Sequence, residues 1–102
     1  MQATLNKIIA YSIAVSEPEK VILFGSMVTG KANRYSDVDL LLITASAPDK
    51  SYINDKIISY AHELSLKIDI LIYSNAEIDV ENARPNSFIS AIIKSGKSVD
   101  WS

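Results

Sequence analysis

The 102-residue sequence has no cysteine. That excludes a disulfide framework and any zinc site built on thiolates. There is no excess of basic residues either: Lys and Arg number 10 against 12 Asp and Glu, for a net charge of −2. A general nucleic-acid binder would show a basic patch. No uninterrupted apolar run exceeds four residues, that at 40–43 among them, far short of the ~20 that a membrane-spanning helix needs. The N-terminus lacks a basic segment followed by an apolar one, so no secretory signal is expected. A cytoplasmic protein without membrane association is the expectation. Repeats, low-complexity tracts and linkers are missing, and residues 1–102 read as one domain. What the chain does have is apolar content, 48% of residues. That is enough to build a core and to exclude disorder.

Two of the three glycines fall in one stretch, Gly25 and Gly30, and that stretch organises the chain. An apolar strand at 21–24 runs into Gly25-Ser26. Ten residues later come Asp37-Val38-Asp39 and the apolar run at 40–43. Residues i and i+2 of a strand share a face, so with the strand taken as residues 37–43, Asp37 and Asp39 project together. Carboxylates held side by side repel, and one keeps its proton unless a cation offsets the charge. Oxygen-only ligands of this kind suit Mg2+ or Mn2+. A glycine turn lets the backbone approach a ligand closely, and its amides can cradle a phosphate. Read alone, the same residues are also common turn formers.

The rest of the chain alternates helical and strand periods. Leu5, Ile8, Ile9 and Ile13 recur at helical spacing, with Thr4 as the expected cap. Ile53, Ile57, Tyr60, Ala61 and Leu64 mark a second amphipathic helix. A third strand at 68–73 carries Asp69 inside an apolar run, where an acid is costly unless paired or metal-bound. Lys67, on the same face, is the alternative partner. Ser74 and Glu77 form a capping-box pattern. Ser87 caps a last helix bearing Phe88, Ile89, Ile92 and Ile93, closed by Gly96. His62 falls on the polar part of its helix and reads as a surface histidine rather than a base. Exposing Trp101 near the end is costly, so residues 88–101 are expected at an interface. The order of elements predicts an α/β fold with helices covering a three-stranded sheet.

Gly-Ser, ten residues, Asp-x-Asp and then a third acid on a later strand resemble the signature of the DNA polymerase beta-type nucleotidyltransferases. The spacing of Gly25, Ser26, Gly30, Ser36, Asp37 and Asp39 is that of the minimal nucleotidyltransferases, and the likeness covers nearly the whole chain. It implies a mixed sheet. It implies that Asp37, Asp39 and Asp69 are catalytic and hold Mg2+ or Mn2+, with Asp37 and Asp39 on both metals and Asp69 on the acceptor side. Gly25, Ser26 and Arg34 are the expected nucleotide-binding residues. Many relatives carry an arginine where this chain has Thr29; Lys31 and Arg34 either neutralise phosphate in its place or are solvated loop charges. The resemblance implies transfer of a nucleoside monophosphate, AMP from ATP, to a hydroxyl. Minimal nucleotidyltransferases are commonly paired, as antitoxins, with HEPN toxins, and a HEPN-type partner is the expected acceptor. Two other readings share the motif: a catalytically weak module that silences its partner by contact, and a small-molecule nucleotidyltransferase with an acceptor site formed across a homo-oligomer.

Overall fold

A strand that is apolar on both faces needs cover on both sides, and residues 38–44, VDLLLIT, are of that kind. The computed structural model, which describes residues 2–25, 37–46 and 48–101, places helices on either side of one sheet. In chain order the elements are α1 (Gln2–Ser16), β1 (Lys20–Phe24), β2 (Val38–Thr44), α2 (Lys50–Glu63), β3 (Ile68–Ser74), α3 (Asn75–Asn82), α4 (Phe88–Ser95) and β4 (Lys97–Ser98). The strands lie side by side in the order β3-β2-β1-β4. β2 runs antiparallel to β1 and parallel to β3, and β4 is antiparallel to β1.

The sheet is thus mixed, with four strands among the described residues where the sequence predicts three. The added strand is two polar residues, with Lys97 opposite Leu23 and Ser98 opposite Ile22. So short a segment has no period to read. A second difference lies at β2, which begins at Val38, so Asp37 sits one residue before it.

Alternation divides the core in two. Val21, Leu23, Val38, Leu40, Leu42, Ile68 and Ile72 join Leu5 and Ile8 of α1 and Ile53, Ile57 and Ala61 of α2. On the opposite face Ile22, Leu41 and Ile43 lie with Ile78 of α3 and Ile89 and Ile92 of α4. Leu40, Leu41 and Leu42 are all fully buried. Each contributes about 1.5–3 kcal/mol by leaving water, which fixes β2 between the two helical layers.

Helix ends follow side-chain chemistry. α1 starts at Gln2, so Thr4 lies inside the helix and is not its cap. Polar positions on the buried side of α1 are satisfied locally: Ser12 and Ser16 donate to the carbonyls of Ile8 and Ser12, both at 2.7 Å. Asp49 caps α2, accepting from the Tyr52 amide at 3.1 Å. The capping box of α3 is complete. The Glu77 amide donates to Ser74 Oγ at 3.2 Å, and the Ser74 amide donates to Glu77 Oε1 at 3.0 Å. Ser87 accepts from the Ser90 amide at the start of α4. Gly96 ends α4 with extended backbone at φ −77° and ψ 171°. A side chain there would run into Ile22, the Ile92 carbonyl and the Leu23 carbonyl. Glycine is required there by close approach to β1. Beyond it, Trp101 is 40% exposed, and Phe88 is 68% exposed. No helix among the described residues is long and apolar enough to cross a membrane.

The C-terminus of α2 is built differently. Ser65 has φ +55°. Its amide donates to the His62 carbonyl at 3.1 Å, and the Leu66 amide donates to the Ala61 carbonyl at 2.8 Å. With Leu64 as the cap, these are the two bonds of a Schellman motif. Its left-handed position, usually glycine, is occupied by serine. A side chain in that conformation costs roughly 1–2 kcal/mol, part of which glycine returns as backbone entropy. Ser65→Gly is therefore expected to stabilise the fold by ~0.5–1 kcal/mol. Urea denaturation checks this through an increased midpoint at unchanged slope.

Candidate active site

The register of the sheet sets the site. Parallel pairing puts Asp39 opposite Asp69, and antiparallel pairing puts Phe24 opposite Asp39. Residues paired in this way share a face, so the two carboxylates stand on one side of the sheet. They lie where β1 ends and where β2 and β3 begin. Asp37 is just upstream, half-buried like Asp39, whereas Asp69 is exposed.

Gly25 follows β1 with φ +76°, a left-handed conformation. A Cβ on it would collide with Oδ2 of Asp39. Glycine therefore serves twice here. It permits the turn, and it leaves room for the Asp39 carboxylate against the backbone.

The electrostatics are unfavourable to a bare carboxylate. Burial raises the pKa of Asp39, the charges of Asp69 and Asp37 raise it further, and a side-chain hydrogen bond shared with Asp69 acts in the same direction. Among the described residues, no three or more His, Asp or Glu side chains form a ready-made metal cluster. Two carboxylates meet directly, Asp39 and Asp69, and Asp37 acts on Asp39 through its charge. Magnesium is typically held by one or two carboxylates together with substrate phosphates. An all-oxygen donor set short of positive charge fits that mode.

A cavity of about 240 Å³ opens on the Asp69 side. It is lined by Asp37, Ile58, Ala61, His62, Leu66, Lys67, Ile68 and Asp69. Lys67 does not form the ion pair that the sequence offered as an alternative. The ion pairs among the described residues are Lys50 with Glu77 at 2.7 Å and Arg84 with Glu81 at 3.1 Å. His62 is exposed, as its helix pattern suggests, yet it stands in the cavity wall with Asp37 and Asp69. Helical spacing reveals which face His62 occupies, but only the turn after α2 reveals what that face overlooks. Ser26, Thr29, Gly30, Lys31, Arg34 and Ser36 lie outside the described residues.

The sequence matches the family described as "Polymerase beta, Nucleotidyltransferase" over residues 6–99. The chain belongs to that family and is a nucleotidyltransferase. A Methanocaldococcus jannaschii protein named "Putative protein adenylyltransferase MJ0141" is 37% identical over 81 residues, which cover 79% of this chain and 78% of that protein. Two solved structures share the fold. The crystal structure of a toxin-antitoxin with AMP-PNP superposes with a TM-score of 0.63 at 19% identity, covering 90% of this chain and 69% of that one. That of a mutant of the toxin-antitoxin MntA-HpeT gives 0.61 at 20% identity, over 91% and 69%.

Two predictions follow from the crowding around Asp39. Gly25→Ala forces a side chain into left-handed backbone and against a carboxylate. A loss of at least ~1–2 kcal/mol is expected from the backbone alone, measured by urea denaturation. The other concerns pH. A raised folded pKa means that the folded protein holds a proton that the unfolded chain sheds. The associated stability is present below the unfolded value of about 3.9 and is lost as pH rises through the folded value. At neutral pH in the absence of metal, Asp39→Asn should therefore raise Tm above that of the parent. The gain should shrink as pH is lowered towards the ordinary aspartate range. Melting curves in chelator at a series of pH values test this, and an equal gain at every pH would contradict it.

Proposed function

We propose that residues 1–102 act as one domain that transfers AMP from ATP to a hydroxyl on a partner protein, with a divalent metal at Asp37, Asp39 and Asp69. The observation that carries this reading is the pairing of Asp39 with Asp69 across β2 and β3, beside a glycine turn that yields to the carboxylate. The name of the M. jannaschii relative supports a protein acceptor and an adenylyl group. The toxin-antitoxin structures of the same fold, one with AMP-PNP, are consistent with a toxin partner and a nucleoside triphosphate. A HEPN-type toxin in the cytoplasm is the partner that we infer, and the protein acts as its antitoxin.

Magnesium or manganese, when bound, neutralises phosphate charge and lowers the pKa of the acceptor hydroxyl. The chain's own residues supply the frame. Asp37 and Asp39 lie next to the Gly25 turn and face the triphosphate, with Ser26 and Arg34 as its further contacts. Asp69, one strand away, faces the acceptor. The acceptor oxygen would bond to the α-phosphorus as the bond from that phosphorus to the β-phosphate oxygen breaks, releasing pyrophosphate, and the hydroxyl proton would pass to solvent.

Incubation of the protein with labelled ATP, magnesium and the product of the neighbouring gene tests the reading. Label should pass to that protein, whereas a tight unlabelled complex would favour inhibition by contact alone. Side-by-side variants separate the carboxylates. A group needed only at the transition state lowers turnover without weakening ground-state binding. Asp69→Asn should keep most ATP·Mg2+ affinity and lose transfer by at least ~10²-fold, the low end of a positioned acid–base contribution. Asp37→Asn and Asp39→Asn should lose both. Transfer by Asp69→Asn at the parent rate would make Asp69 a structural acid.

A further inference from the structure

The cavity beside Asp69 is more than a gap between elements. Its lining includes Asp37 and Asp69 but neither Asp39 nor Gly25. It therefore reaches the carboxylates from the β3 side, whereas Gly25 follows β1, and β2 lies between the two. At about 240 Å³ it is smaller than the ~300–1,000 Å³ of sites that enclose a whole small molecule. It has room for one side chain. Ile58, Ala61, Leu66 and Ile68 give it an apolar lining, while His62 and Lys67 supply a basic one.

Those two residues are held by the backbone. The His62 carbonyl accepts from Ser65 in the Schellman turn, and the Lys67 carbonyl accepts from the Val38 amide at 2.9 Å. Among the described residues neither side chain is engaged in an ion pair, in contrast to Lys50 and Arg84. An acceptor with nearby carboxylates would be repelled by Asp37 and Asp69 alone. Lys67 supplies positive charge on the approach and His62 a polar ring that can hydrogen-bond a carboxylate, and both offset that repulsion.

Building on the transferase reading above, we propose that this cavity is the acceptor subsite and that His62 and Lys67 select a protein hydroxyl flanked by acidic residues. The hydroxyl-bearing side chain enters between the Ile58 and Leu66 side chains, and its flanking carboxylates meet Lys67 and His62. These are specificity residues, and the bond-making step stays with the three aspartates.

Two synthetic peptides test the proposal, each with one tyrosine flanked by glutamates or by lysines. Their affinity for the protein in the presence of magnesium and AMP-PNP is measured by calorimetry, and transfer is measured with labelled ATP. The parent should bind and label the glutamate peptide at least ~10-fold better, a modest preference for one charge contact and one hydrogen bond near a protein surface. Lys67→Glu should reverse the order, and His62→Ala should raise KM for the glutamate peptide, with ATP affinity unchanged in both. Equal affinity of the parent for the two peptides would overturn the subsite, as would a Lys67→Glu variant that weakens both alike. The charge preference in binding without any transfer by the parent would leave the subsite standing and count against the transferase reading.

Discussion

Everything at the site depends on the parallel pairing of β2 with β3 in one register. That register sets Asp39 opposite Asp69, and a slip by one residue would send every side chain of one strand to the other face. Two like charges would favour such a slip. They are overruled by the core, because Leu40 and Leu42 on β2 and Ile68 and Ile72 on β3 are buried together under α1 and α2. Each buried aliphatic side chain contributes about 1.5–3 kcal/mol, and all would be misplaced at once. Burial under α1 and α2 thus fixes where the carboxylates stand on the opposite face.

This arrangement leaves the carboxylates poised rather than satisfied. Asp39 carries the cost of burial and the repulsion of two neighbouring acids. A ligand that brings positive charge offsets the repulsion and favours the ionised carboxylate, and anything that binds the folded state more tightly than the unfolded one stabilises it. Binding and stability are therefore coupled at Asp39. Asp69, exposed and on a separate strand, is coupled to Asp39 by charge and by a hydrogen bond, so a ligand at one carboxylate is felt at the other.

Much of this was legible in the sequence because it rests on local chemistry. The spacing from Gly25 to Asp39 carries the family resemblance, the helical repeats at Leu5–Ile8 and Ile53–Ile57 mark core faces, and Ser74 with Glu77 announces a cap. What escaped is either too short or non-local. β4 is two residues held only by β1. Thr4 has the chemistry of a cap, but α1 had already begun. Asp37 alternates with Asp39 in sequence, yet it precedes the strand. The place of His62 in the cavity wall depends on Ser65 adopting a left-handed conformation that sequence assigns to glycine first.

The strand order itself bears on the proposed chemistry. An in-line displacement needs entering and leaving groups on opposite sides of phosphorus. In the order β3-β2-β1, the Gly25 turn flanks β2 on one side and the cavity at Asp69 flanks it on the other. Asp39, on the strand between them, is the carboxylate that both neighbours touch, Gly25 by contact and Asp69 by hydrogen bond. On the proposed reading, triphosphate, carboxylates and acceptor are laid out across three adjacent strands in the sequence that the displacement requires. The antiparallel β1–β2 connection and the parallel β2–β3 crossover through α2 both bring their chain to the same end of the sheet. That common end is what would let one sheet serve both sides of the proposed reaction.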